Sequence, residues 1–212
     1  MTRGWFITLE GIEGSGKTTQ AAILAGALRS RGNQVMVTRE PGGTRAGELI
    51  RAIFLDSNIS LEVTTELLLV LADRAQHIRE KLRPALEAGQ IVISDRYSDS
   101  TIAYQGYGRG FDLKLIRDLN RLASGGITPD LTIVLDCAPE IGLERSNSRA
   151  KDAVPARDRF EEEQIEFHRR VRDGFRAIVR DEPSRAVLLD GVRGQHEVSA
   201  AILNLVLERF FG

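Results

Sequence analysis

The 212-residue sequence is short of several things. It has one cysteine (Cys137), one tryptophan, 6% aromatic residues and only four lysines among 29 basic side chains. A single cysteine excludes an internal disulfide framework and suits a reducing compartment. No apolar run approaches the roughly 18 residues that span a bilayer. The opening MTRGWFITLE meets an acid too soon for a secretory leader. These absences point to a cytoplasmic protein with no membrane partner. A formal net charge of -1 leaves no global field to hold nucleic acid. No DxxG element follows a strand and no NKxD guanine reader is present, which argues against a signalling GTPase. What is present is 42% apolar residues, enough to build the core of one domain, residues 1–212.

The scarcity of lysine (Lys17, Lys81, Lys114, Lys151) leaves 25 arginines. Codon bias on a solvated surface accounts for most of them. The planar guanidinium fork also matches phosphate oxygens in pairs, so each arginine has to be judged by position.

Five short apolar runs read as buried strands: Trp5–Glu10, Gln34–Thr38, Ile91–Asp95, Leu131–Asp136 and Val187–Asp190. Helical patterns alternate with them. Gly16–Arg31 puts Ile23, Leu24, Ala27 and Leu28 on one stripe, with Gly32 as its stop. Thr65–Ala88 repeats Leu71, Ala75, Ile78, Leu82 and Leu86. Arg159–Arg180 repeats Phe167, Val171, Phe175 and Ile178, and Gln195–Phe211 repeats Val198, Ile202, Leu205 and Leu207. Alternating strands and helices predict an α/β fold, a parallel sheet covered on both faces. Asn147–Asp158, polar and containing Pro155, reads as a mobile surface loop.

The first strand runs into GIEGSGKT, Gly11 to Thr18, ahead of a helix. This is the context that makes GxxxxGK(S/T) a phosphate cradle. Gly11, Gly14 and Gly16 let amides wrap an anion, and Ile12, Glu13, Ser15 and Thr19 complete the stretch. Lys17 adds a point charge and the Thr18 hydroxyl can ligate Mg2+. The motif implies nucleoside triphosphate binding, with ATP the expected co-substrate. Glu13 is out of place in such a cradle. It is either a solvated acid on the loop's outer edge or faces a second substrate, accepting from a sugar hydroxyl or a metal-bound water. A second metal carboxylate is expected at a strand end, where Asp95 and Asp136 both stand. Arg96 beside Asp95 tilts the choice to Asp95.

LEGIEGSGKTTQ, TREPGGT (Thr38–Thr44), ADRAQH (Ala72–His77), ISDRYSDSTIAYQGYGRG (Ile93–Gly110) and DRFEEE (Asp158–Glu163) resemble the bacterial thymidylate kinases in order and spacing. The resemblance implies a P-loop three-layer fold with a five-stranded parallel sheet, surrounding helices and a mobile lid at about 145–159. It implies transfer from ATP to dTMP with Mg2+. Glu13 would hold the sugar, Arg51 and Arg96 the acceptor phosphate, and Arg74 the thymine, with Ser100, Thr101 and Gln105 on the same side. A lid arginine would act on the transferring phosphoryl group: Arg149 first, Arg145 second, with Arg157 and Arg159 as further choices. The helix Thr65–Ala88 would help form a homodimer. Two departures stand out. Val70 occupies the place of the family's usual aromatic residue over the base, and Ala150 stands where a glycine customarily follows the lid arginine. Val70 keeps open a kinase for another monophosphate, and an ATP-dependent switch without transfer activity is the non-enzymatic alternative. His77, His168 and His196 show no metal-ligand spacing and read as surface or packing residues. Cys137 reads as a strand-end packing residue. Tyr104 and Tyr107 read equally as pocket or core residues.

Overall fold

The computed structural model describes residues 3–150 and 159–212, the side chains of 149 and 150 excepted. Five strands, β1 (Phe6–Glu10), β2 (Val35–Arg39), β3 (Ile91–Asp95), β4 (Leu131–Asp136) and β5 (Ala186–Asp190), form one parallel sheet in the order β2-β3-β1-β4-β5. Each lies within one or two residues of a strand expected from the sequence. β1 is central and every one of its residues is buried, as a strand covered on both faces requires.

Alternation along the strands divides the interior. Ile7 and Leu9 of β1, Ile91 and Ile93 of β3, and Leu131, Ile133 and Leu135 of β4 all face one side. There they pack on α1 (Lys17–Arg29) and α9 (Gln195–Phe211) through Leu24, Leu28, Val198, Ile202 and Val206. The opposite face carries Thr8, Glu10, Ser94 and Thr132, all fully buried. Its polar groups are bonded to one another and to neighbouring helices. Thr8 and Thr132 share a 2.8 Å hydrogen bond, and Arg185 holds the buried Asp99 through both nitrogens of its fork, at 2.7 and 2.8 Å.

The helices on this second face are α2 (Arg45–Leu55), α3 (Val63–His77), α4 (Arg83–Glu87), α5 (Ser98–Thr101), α6 (Leu113–Ser124), α7 (Pro139–Ala150) and α8 (Ile165–Asp181). A π-helical turn, Ile78–Leu82, joins α3 to α4, and a second, Ile102–Gly108, extends α5. The helix expected over Thr65–Ala88 therefore starts at Val63 and changes phase at residue 78. Ala75, expected inside, is exposed, while Asp73, Arg74 and His77 point inward. Those polar groups are paired there with Glu40 and its neighbours, so an apolar period alone misplaces the buried stripe. The α1 stripe is displaced in the same way, to Ala21, Leu24, Ala25 and Leu28.

The expectation of a loop over Asn147–Asp158 needs correcting at its start. Residues 147–150 continue α7, where Ser148 Oγ bonds back to Glu144 O at 2.9 Å. Residues 151–158, with most of the expected lid, lie outside the described part. The helix expected from Arg159 begins at Ile165, after turns over 159–164.

Candidate active site

The loop after β1 closes over the C-terminal ends of three adjacent strands. Leu9 pairs with Asp95 in β3 and Glu10 with Val134 in β4, so the loop and the first turn of α1 stand directly above Asp95. Gly14, at φ 70°, leans on α7, and a Cβ there would run into Gly142 O. Lys17 is buried and folds back onto the loop, donating to Ile12 O at 2.7 Å and Ser15 Oγ at 3.3 Å. Burial, and then Arg96 nearby, lower its ammonium to about 8. Thr18 Oγ1 is bonded to Asp95 Oδ2.

A cavity of about 650 Å³ opens from this loop toward α2, α3 and α5. Glu13, Gly14, Lys17, Thr18, Arg51, Val70, Arg74, Asp95, Arg96, Ser100, Thr101 and Gln105 all line it. Gly11, Ile12, Ser15, Gly16 and Thr19 sit in the loop behind that wall. Ile12 turns its side chain into the core, and Thr19 is exposed.

Glu13 is not a solvated edge residue. Its side chain is 10% exposed, and Oε1 accepts from Arg96 Nη2 at 2.9 Å and Tyr104 Oη at 2.5 Å. Oε2 lies 3.5 Å from Nδ1 of the fully buried His168. Burial works against its charge, but Arg96, then His168, Lys17 and Tyr104, hold the carboxyl well below the usual range. Arg96 also donates to Gly11 O at 2.9 Å and Ser100 Oγ at 3.1 Å. Its charged form is strengthened, against burial, by the Tyr104 hydroxyl and the carboxylates of Glu13, Asp95 and Glu10. Among the described residues it is the one non-glycine with positive φ, 73°, a conformation costing about 1–3 kcal/mol that a bulky residue keeps only when its surroundings dictate it.

Arg74 is almost wholly buried. Nε and Nη2 both lie 2.9 Å from Glu40 Oε2, and Nη1 donates to Thr101 Oγ1 at 3.1 Å and Asn120 Oδ1 at 2.6 Å. Glu40 also meets His77 Nδ1 at 2.8 Å. Arg74 is thus held rigidly at the wall. Arg51 Nη1 donates to Pro41 O at 3.0 Å.

The second strand-end acid is placed differently. Asp136 Oδ1 and Oδ2 receive Arg172 Nε and Nη2 at 2.7 and 2.8 Å, and Arg176 adds a third bond at 2.8 Å. Against burial, these arginines lower its carboxyl to about 2. It does not line the cavity. Of the expected lid arginines, Arg145 donates to Gly191 O and Val192 O at 2.9 and 3.2 Å. Arg159 donates to Phe54 O at 3.2 Å, pairs with Glu66 at 3.1 Å and lies over the Phe54 and Phe160 rings, behind the cavity lining. The Arg149 side chain and Arg157 lie outside the described residues.

Several contributors went unread in the sequence, and one is undecided there. Phe54, Phe160 and the undecided Tyr104 line the cavity along with Val70, so aromatic side chains are present in its wall even though Val70 is not one. Tyr104 resolves to the pocket, while Tyr107 packs against Gly174. Glu66, fully buried, takes the Gln105 side-chain amide at 2.6 Å together with Arg109 and Arg159. His77 is buried with both ring nitrogens bonded, to Thr38 and Glu40, His168 is a buried packing residue 3.5 Å from Glu13 Oε2, and His196 is exposed.

A parallel sheet with a phosphate loop at the end of its central strand, opening on one cavity lined by Lys17, Arg51, Arg74 and Arg96, defines a P-loop kinase. Comparison with known proteins makes this particular. A family model described as Thymidylate kinase matches residues 9–202. A thymidylate kinase of Geotalea uraniireducens is 51% identical over 97% of this chain and 98% of its own length. That of Deinococcus radiodurans is 49% identical over 99% of both. The crystal structure of thymidylate kinase from Ehrlichia chaffeensis superposes with a TM-score of 0.77 at 36% identity, covering 96% of this chain and 99% of that one. The chain belongs to the thymidylate kinase family, and its activity is the ATP-dependent phosphorylation of dTMP to dTDP.

Proposed function

We propose that this phosphorylation occurs by direct transfer between two nucleotides held in the one cavity, within a single domain. The observation that carries the reading is that the Thr18–Asp95 contact and the guanidinium groups of Arg51 and Arg96 line the same cavity. The amides of Gly11–Thr19 hold the ATP phosphates, and Lys17 swings from Ile12 O to the outer ones. Thr18 and Asp95 offer two hard oxygen donors side by side. That donor set fits Mg2+, which keeps few protein ligands beside waters and substrate phosphates. When bound, Mg2+ neutralises charge on the phosphates.

On the acceptor side, Arg51 and Arg96 hold the dTMP phosphate. Glu13 accepts from the sugar while anchoring Arg96. Arg74, Ser100, Thr101 and Gln105 face the thymine, with Val70 covering it among the rings of Phe54 and Phe160. Fixing both phosphates supplies most of the rate, since phosphoryl transfer asks chiefly for positioning and charge neutralisation. Arg149 is the arginine assigned to the transferring group.

Exposed Leu49 and Ile53 of α2, Leu68 of α3 and Leu122 of α6 support a homodimer through this helical face, which light scattering tests by a mass of twice 23.5 kDa. No helix of the described residues is long and apolar enough to cross a membrane. The buried free Cys137 suits a cytoplasmic setting. ADP release across a panel of monophosphates tests the substrate assignment. Preference for dTMP is expected; preference for dCMP or AMP would overturn the roles given to Gln105 and Val70.

A further inference from the structure

Glu10 does not itself line the cavity; it is a fully buried carboxyl group at the end of the central strand. We propose that Glu10 is a positioning residue that clamps the strained turn presenting Arg96, with Ser94 closing the clamp from the other side.

The Arg96 backbone is fixed on every side. Its N–H donates to Leu9 O at 3.0 Å. Its carbonyl accepts from Ser94 Oγ at 2.7 Å. The next N–H, that of Tyr97, donates to Glu10 Oε1 at 2.7 Å. Tyr97 caps the start of α5 without a side-chain bond of its own, so Glu10 supplies that cap from the neighbouring strand. The other oxygen, Oε2, accepts from Ser100 Oγ at 2.6 Å, and Ser100 Oγ accepts from Arg96 Nη1 at 3.1 Å. One carboxyl group thus closes a ring from the backbone beside Arg96 to its guanidinium. Without that ring a bulky residue relaxes from positive φ, and its fork leaves Gly11 O and Glu13. Burial, and then the carboxylate of Asp99 behind it, raise Glu10 to about 8. A neutral amide is therefore a faithful replacement.

The inference rests on the proposed grip of Arg96 on the acceptor phosphate, and the test separates the two. Glu10→Leu, Glu10→Gln, Arg96→Lys and the double variant Glu10→Leu/Arg96→Lys are compared by kinetics and by amide hydrogen exchange over residues 96–101. Glu10→Leu should lower kcat/KM for dTMP by about 30-fold, as a displacement of about 1 Å does, with KM for ATP within about twofold. Glu10→Gln should recover activity to within about threefold, because its Oε1 still accepts from the Tyr97 N–H and its Nε2 can donate to Ser100 Oγ, the hydroxyl bond reversing direction. Exchange should quicken in the leucine variant and not in the glutamine variant. The double variant should fall no more than about threefold below Arg96→Lys, since both changes act on one unit. Unchanged exchange in Glu10→Leu, losses shared equally between ATP and dTMP, or effects that multiply fully would each overturn the clamp. Arg96→Lys with unaltered KM for dTMP would sink the phosphate grip instead, while the exchange result still decides on the clamp. If Glu10→Leu does not fold, Ser94→Ala opens the same turn from its carbonyl side. It must then give the same dTMP-selective loss, and an unaffected dTMP KM would overturn the proposal.

Discussion

Three strands of this sheet end in aspartate, and the two that flank the central strand meet opposite fates. Asp95 closes β3 beside Thr18 in the cavity, with the phosphate loop overhead. Asp136 closes β4, the neighbour of β1 on the other side, and is locked by Arg172 and Arg176. The sequence pattern is the same, an apolar run terminated by an acid. What differs is what arrives from elsewhere in the chain. A carboxylate saturated by three arginine bonds has little left for a cation, whereas one facing a hydroxyl and an open cavity does. A strand-end acid becomes a site when the helix above it brings donors for a ligand, and a structural tie when it brings arginines.

The sharpest way to press on this difference is at the Asp95 end. Lys17→Ala should reduce kcat on the order of 10³-fold, as loss of a preorganised charge at a transferring group does. The melting temperature should stay within a few degrees, because this lysine bonds only its own loop. Retained turnover would remove the loop from the mechanism. A smaller effect is expected at the other end. Arg172→Ala should leave kcat unchanged but lower unfolding free energy by about 1 kcal/mol in urea titration, Arg176 still covering the carboxylate. An activity loss there would assign Asp136 a role that the cavity denies it.

Acid sharpens the contrast further. Because the Asp136 carboxyl is lowered to about 2 when folded, against about 3.9 unfolded, its stabilisation is present above pH 4 and disappears as pH falls toward 2. Partial exposure keeps it near about 1 kcal/mol. Asp136→Asn should therefore differ in stability from the parent at pH 6 and converge with it only as pH approaches 2. A gap that persists at low pH would point to packing rather than charge.

Much of this was legible in advance. The five strands and the phosphate loop follow from local pattern, because a buried parallel strand has a continuous apolar signature and the loop has fixed spacing, whereas pattern alone leaves Asp95 and Asp136 as equal candidates and only Arg96 beside Asp95 tilts the choice. The inward turn of Asp73, Arg74 and His77 was not legible. A helix period counts polar residues as outward, and only groups more than thirty residues away make them stable inside, Glu40 for Arg74 and His77 and the Gly42 N–H for Asp73. His168 was unreadable for the same reason: its partner Glu13 stands at the other end of the chain. The surroundings of Arg159 were not legible, because a charged residue near an expected lid gives no sign that it will lie over Phe54 and Phe160. The arginine excess resolves likewise, with Arg74, Arg96, Arg159, Arg172 and Arg185 each committed to a carboxylate that distance in sequence conceals.

The claim that one strand end is the site and the other a tie is tested most directly by a paired measurement. ADP release from ATP and dTMP is followed in Asp95→Asn and Asp136→Asn under identical conditions, with Mg2+ varied. The account predicts a loss of at least about 100-fold in kcat and a raised Mg2+ requirement for Asp95→Asn, and turnover within about twofold of the parent for Asp136→Asn. Equal losses, or the larger loss in Asp136→Asn, would contradict it.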